Sequence, residues 1–115
     1  MARIRHIALM TADVPKLAGF YKNVFGLKEV SRGKRSIYLS DGYINIAILT
    51  AGDGQEGIHH FGFEVEDLQK MAAAALEAGA QQGPSDLPRD GRFAEVFIKD
   101  PSGQRVDLSM QGWKT

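Results

Sequence analysis

The chain repeats itself. One segment reads His6-Ile7-Ala8-Leu9-Met10-Thr11-Ala12-Asp13 and a later one reads His60-Phe61-Gly62-Phe63-Glu64-Val65-Glu66-Asp67. Each opens with a histidine in an alternating, strand-like run and reaches an aspartate seven positions on. Each aspartate is followed by an amphipathic run that stops at a glycine, Gly26 or Gly79. The offset is the same for both anchors, 60 − 6 = 54 and 67 − 13 = 54. A repeat on this scale means two copies of one supersecondary unit, neither able to bury its apolar face alone. The two histidines hold equivalent places and can meet across a pseudo-two-fold axis, which is how a short chain can assemble a metal site.

At 115 residues the chain is long enough for one compact domain and too short for two independent cores. Lysine plus arginine and aspartate plus glutamate are both 14, so no basic footprint points to nucleic acid or an anionic membrane. Cysteine is absent, which removes disulfides, thiolate ligands and a cysteine nucleophile together. Any metal must be held by histidine, carboxylate or amide. No apolar run reaches membrane-spanning length and no signal peptide is visible, so a cytoplasmic protein is the default expectation.

Along the chain, Arg3–Met10 alternates, with His6 and Ala8 opposite Ile7 and Leu9. Asp13 offers a cap and Pro15 suits a first helical turn. Leu17, Phe20, Tyr21 and Val24 predict one apolar helix face, ended by Gly26. Strands are expected near Lys28–Ser31, Arg35–Ser40 and Tyr43–Thr50, with Asp41-Gly42 as a two-residue hairpin turn. The stretch 51–57 is polar and glycine-rich and reads as a linker between module one (1–50) and module two (58–115). Module two repeats the plan. A helix after Asp67 carries Leu68, Met71, Ala72, Ala75 and Leu76, and a weak strand lies near Ala80–Gln82. A loop over Gly83–Gly91 precedes strands near Arg92–Lys99 and Gln104–Met110. Each module is therefore βαβββ, and the expected fold class is α+β: two modules in tandem forming a cupped mixed sheet with helices on the outer face.

The strand with His6, the helix end Phe20-Tyr21-Lys22-Asn23-Val24-Phe25-Gly26-Leu27, the strand with His60, and Asp100-Pro101-Ser102-Gly103-Gln104-Arg105-Val106-Asp107-Leu108 together resemble the vicinal oxygen chelate superfamily. That group includes glyoxalase I, methylmalonyl-CoA epimerase, extradiol dioxygenases and bleomycin-resistance proteins. The resemblance covers the whole chain and implies the glyoxalase/bleomycin-resistance/dioxygenase fold. It implies metal ligands on the first strand of each module, here His6 and His60, and a carboxylate on the last strand, here Asp107. Parity agrees, because Val106, Leu108 and Met110 would face the helix and turn Asp107 into the cup. A fourth ligand on the last strand of module one is missing: the cup face there holds Tyr43, Asn45 and Ala47, and counting from Gly42 gives Ile46 instead. A 2-His-1-carboxylate set with open positions remains, suited to Fe, Mn, Zn, Ni or Co.

Around it, Tyr38 and Asn45 are expected to pair across the hairpin and line the cup. Glu95 and Phe97 share parity with Asp107; Glu95 is a candidate general base or a rim charge, and Phe97 a substrate contact or simple packing. Arg92, like Arg35, is a candidate for binding an anionic substrate. His59 has the wrong parity for the cup. Three functions follow. The first is a metal-dependent enzyme acting on a small molecule with two adjacent oxygens, with a slight lean to extradiol-type dioxygenase chemistry, in which Tyr38 or Glu95 would handle protons. The second is a glyoxalase-like lyase or epimerase with Glu95 as base. The third is a metal-free protein that binds an antibiotic or aromatic ligand. The resemblance also implies a homodimer.

Overall fold

A computed structural model describes residues 1–83 and 95–115. Among them are seven strands and two helices, an α+β arrangement with parallel and antiparallel pairing. The chain divides into two compact units. The first comprises Arg5–His59 with Lys114–Thr115, and the second Met1–Ile4 with His60–Trp113.

The first unit contains most of β1 (Arg3–Thr11), α1 (Val14–Phe25), β2 (Lys28–Arg32), β3 (Ser36–Ser40) and β4 (Asn45–Thr50). Its strands lie in the order β2-β3-β4-β1. β4 runs antiparallel to β3 and parallel to β1. Asp13 caps α1 by accepting from the Lys16 N–H at 3.1 Å, and Pro15 sits in the first turn. Gly26, at φ 72°, closes the helix by donating to the Lys22 carbonyl. Val14 and Ala18 are buried with Ile37, Leu39 and Ile48, and Leu9, Leu17, Tyr21, Leu27 and Ile46 pack around them.

The second unit contains β5 (Gly57–Glu64) from His60 onward, α2 (Leu68–Glu77), β6 (Val96–Lys99) and β7 (Arg105–Ser109). The order is β5-β7-β6, with β7 parallel to β5 and antiparallel to β6. Asp67 caps α2 through the Lys70 N–H at 3.0 Å. Val65, Leu68, Val106 and Leu108 form the core, with Phe61, Phe63, Met71, Val96 and Ile98 against it. In both units the alternate residues of each strand face away from the helix.

Several expectations need correcting. The buried stripe of α1 is Val14-Leu17-Ala18-Tyr21, so Phe20 and Val24, about one helical step to the side, are 51% and 59% exposed. Leu76 and Met110 are also exposed, Met110 lying beyond the last residue of β7. The hairpin is not a two-residue turn. Ser40 pairs with Asn45, leaving 41–44 as loop. A type I′ turn needs positive φ at both central residues, and Gly42 has it (φ 102°) but Asp41 does not. Instead the Asp41 carboxylate accepts from the N–H groups of Tyr43 and Ile44 at 2.9 and 2.8 Å, a side-chain turn that widens the loop. These bonds hold its carboxyl below the ordinary carboxylate range. The shift moves every pairing, so Tyr38 lies beside Ala47 and not Asn45. Tyr43 falls in the loop, exposed, with the Arg5 guanidinium 4.1 Å above its ring. Residues 80–82 form no strand, only a single bridge from Gln82 to Lys99. Arg92 and the loop to Gly91 lie outside the described residues.

Leu39 has no exposed surface. Leu39→Ala is expected to cost about 3 kcal/mol through the lost transfer energy and the cavity. Asp67→Ala is expected to cost about 1 kcal/mol through the lost cap. Urea denaturation of each variant checks both.

Candidate functional site

The second unit places a carboxylate where no water reaches it. Asp107, on the β7 face turned from α2, is 0% exposed. Burying an ionised carboxylate without partners costs several kcal/mol. Three neighbours meet that demand. His60 on β5 brings Nε2 to 3.2 Å from Oδ2. Arg105, two residues back on the same face of β7, brings Nε to 2.8 Å from Oδ1 and its second nitrogen to 3.3 Å from Oδ2. The Arg105 guanidinium is seated 4.6 Å over the ring of Phe97, the residue beside Asp107 on β6. Burial pushes the Asp107 carboxyl up, but the hydrogen bonds from His60 and Arg105 outweigh it and hold it below its usual value.

Glu95 is the third neighbour. Its carboxyl feels the charge of Asp107 and accepts a hydrogen bond from the Trp113 indole N–H at 2.8 Å. Desolvation pushes its carboxyl up, the Trp113 bond pulls it down, and the charge of Asp107 pushes it up again; the net direction is upward. Trp113 arrives from beyond the last strand, where Gly112 at φ 69° turns the chain back. It lies over Gly62, the β5 partner of Asp107. A Cβ on Gly62 would stand 2.8 and 3.0 Å from indole carbons and 3.2 Å from the Asp107 carbonyl oxygen.

In the first unit His6 is equally buried, on the β1 face turned from α1. Its Nδ1 is 2.8 Å from Oδ1 of Asn45, its neighbour on β4. The amide orientation is fixed at the other end, where Nδ2 donates to the Lys114 carbonyl at 2.9 Å. An oxygen facing Nδ1 can only accept, so Nδ1 carries a proton. A histidine held this way is prepared as a metal ligand, with Asn45 as the group that fixes its tautomer.

The donor set in the second unit suits a divalent ion as well. Two ligand atoms each about 2.1 Å from an ion, at roughly right angles, stand about 3.0 Å apart; His60 Nε2 and Asp107 Oδ2 are 3.2 Å apart. The proton between them is what an ion would displace.

The sequence model of the glyoxalase/bleomycin resistance protein/dioxygenase superfamily matches residues 3–108. The chain belongs to this superfamily. Among its members, an ethylmalonyl-CoA/methylmalonyl-CoA epimerase of Cereibacter sphaeroides is 27% identical over 130 residues, covering 94% of this chain and 97% of the relative. A Streptomyces coelicolor methylmalonyl-CoA epimerase variant, solved with 2-nitronate-propionyl-CoA, superposes with a TM-score of 0.72 at 24% identity over 93% of this chain and 95% of its own. A homoprotocatechuate 2,3-dioxygenase variant from B. fuscum gives 0.76 at 19% identity, over 98% of this chain but 33% of its own. At these identities the two structures establish a shared fold.

Within this superfamily member, the second unit gathers His60, Asp107, Glu95 and Phe97, and the first gathers His6 and Asn45. Asn45 is a partner of His6, and Phe97 is the seat of Arg105. Tyr38 is half-buried on the same strand face as Ala47. His59 is exposed. Three residues went unnoticed in the sequence: Arg105, Trp113 and Gly62. Arg105 shares the parity of Asp107, and a glycine inside an alternating strand marks a close approach, so both carried a signal. Trp113 lies past the last strand and carried none.

Because Trp113 is the only tryptophan, its emission reports on this cover directly. Gly62→Ala is expected to displace the indole, shift its fluorescence to the red and destabilise the fold by about 1–3 kcal/mol. An unchanged spectrum and midpoint would contradict the contact.

Proposed function

We propose that this chain is a divalent-metal-dependent enzyme that moves a proton at a carbon beside a carbonyl, an epimerase- or isomerase-type reaction. His6, His60 and Asp107 are the proposed ligands and Glu95 the base. The observation that carries the reading is the Glu95 carboxyl, aimed by the Trp113 N–H at 2.8 Å and electrostatically coupled to the proposed ligand Asp107. The repeat supports His6 as the partner of His60, since the two occupy equivalent places.

In this reading the metal supplies Lewis acidity to two adjacent substrate oxygens. The rest belongs to the chain. Asn45 fixes the His6 ring. Arg105, seated on Phe97, keeps Asp107 ionised and in place. Glu95 takes the proton from one face of the carbon and releases it to solvent before the next turnover. Tyr38 lines the substrate space, and its phenol is the candidate for protonating the opposite side. The near full-length likeness to an acyl-CoA epimerase makes methylmalonyl-CoA the first substrate to test. The ligand types suit Fe, Mn, Zn, Ni or Co.

The three-ligand set favours a second reading, oxygen chemistry of the extradiol kind. Proton handling there would also fall to Tyr38 or Glu95, because the one remaining histidine, His59, is exposed on a strand position of opposite parity to His60.

The test is deuterium exchange at the α-carbon of methylmalonyl-CoA in D2O, followed by NMR. The protein with metal is expected to wash out the proton, the chelated protein to be inert, and Glu95→Gln to lose about 10²–10⁴-fold in rate. Exchange untouched in Glu95→Gln would remove the base and with it the proposal. The Trp113 bond favours the charged form of Glu95. Without it the carboxyl is protonated at higher pH, so Trp113→Phe is expected to move the acid limb of the rate profile upward. A limb that stays in place or moves down would contradict that role.

A further inference from the structure

Strand register compares the two halves more securely than counting along the chain. β1 runs beside β4 with Ala8 next to Ala47, and β5 runs beside β7 with Gly62 next to Asp107. His6 and His60 are repeat equivalents, and Ala8 and Gly62 each stand two residues later. Ala47 therefore holds the place of Asp107. The third strand agrees, because Tyr38 lies beside Ala47 and Phe97 beside Asp107. One row reads Tyr38-Ala47-Ala8 and the other Phe97-Asp107-Gly62. Aromatic matches aromatic and small matches small; only the central residue changes chemistry. Counting from the turn glycines fails because the loop at 41–44 is one residue shorter than the loop at 100–104.

We infer that Ala47 is a ligand position reduced to a methyl group, and that the proposed metal has one more coordination position open to substrate oxygen than a symmetric two-module site would give. The inference rests on the metal reading above. Ala47 is 1% exposed and its neighbour Ala8 is 0% exposed. Neither side chain extends beyond Cβ, so the helix-distal face of β1 and β4 is lined at this level by two methyl groups. Asn45, two residues before Ala47, does not fill the role, because its oxygen is held by His6 and its nitrogen by the Lys114 carbonyl. A three-ligand centre takes two vicinal oxygens and still keeps a position for water or a third substrate atom.

The experiment compares Co(II) binding by the parent protein, Ala47→Asp, Ala47→Glu and Ala47→Leu. Affinity is read by chelator competition, coordination by the visible Co(II) spectrum, and open positions by titration with oxalate, a bidentate oxygen donor. Ala47→Glu or Ala47→Asp is expected to bind Co(II) about tenfold tighter or more, with an altered spectrum and weaker oxalate uptake. Ala47→Leu, which adds bulk without a donor, is expected to bind no tighter than the parent. Circular dichroism checks folding, and Ala47→His offers a donor without a buried charge should both acids unfold. A parent that binds Co(II) beside folded donor variants that bind no tighter would overturn the inference and leave the metal reading intact. A parent that binds no Co(II) beside a donor variant that does would sink the three-ligand reading and support the assignment of Ala47.

Discussion

A fully buried carboxylate governs the arrangement of the second unit. Asp107 has no exposed surface, and every group around it can be understood as an answer to that burial. The guanidinium of Arg105 grips it from along the same strand. Phe97 carries that guanidinium, and His60 supplies a further N–H. Desolvation and the like charge of Asp107 raise the Glu95 carboxyl above its ordinary value. Gly62 has no side chain because the indole that steers Glu95 occupies the space. Remove the carboxylate and the reasons for most of these choices go with it. A structural ion pair alone would not need a second carboxyl beside it. That surplus is what points to chemistry.

The first unit uses the same frame differently. Asn45 and Arg105 occupy equivalent positions, each two residues before the place of Asp107 or its counterpart Ala47. Each is a supporting residue. Asn45 supports the histidine of its unit, and Arg105 supports the carboxylate of its unit. The two halves share this scaffolding, and only the second carries a carboxylate at that place. The fold tolerates this because the helix-facing residues, Ile37, Leu39, Ile46 and Ile48 in one half and Val96, Ile98, Val106 and Leu108 in the other, make the cores independently of what the opposite face carries.

Much of this was legible in the chain. The 54-residue offset gave two equivalent histidines. Strand parity turned His6, His60 and Asp107 away from the helices, and the aspartate caps marked both helix starts. What escaped was set by details that periodicity does not carry. The hairpin register depended on the Asp41 carboxylate binding two backbone N–H groups, and with it went the pairing of Tyr38. The α1 face was misplaced by about one helical step because four aromatic and aliphatic residues, Phe20, Tyr21, Val24 and Phe25, fit two neighbouring stripes. The partners of Asp107 and Glu95 were hidden because Trp113 follows the last strand at a glycine turn, and no spacing rule reaches it.

The account turns on Asp107 being a metal ligand and not only an ion-pair partner. Elemental analysis of protein purified without chelator, wild type beside Asp107→Asn, tests this most directly. Asparagine preserves the shape of the side chain and removes the charge a divalent ion needs. The account predicts near-stoichiometric transition metal in the wild type, lost in the variant while its fold persists. Wild-type protein that carries no metal and takes none up on titration, or a variant that retains it in full, would contradict the claim.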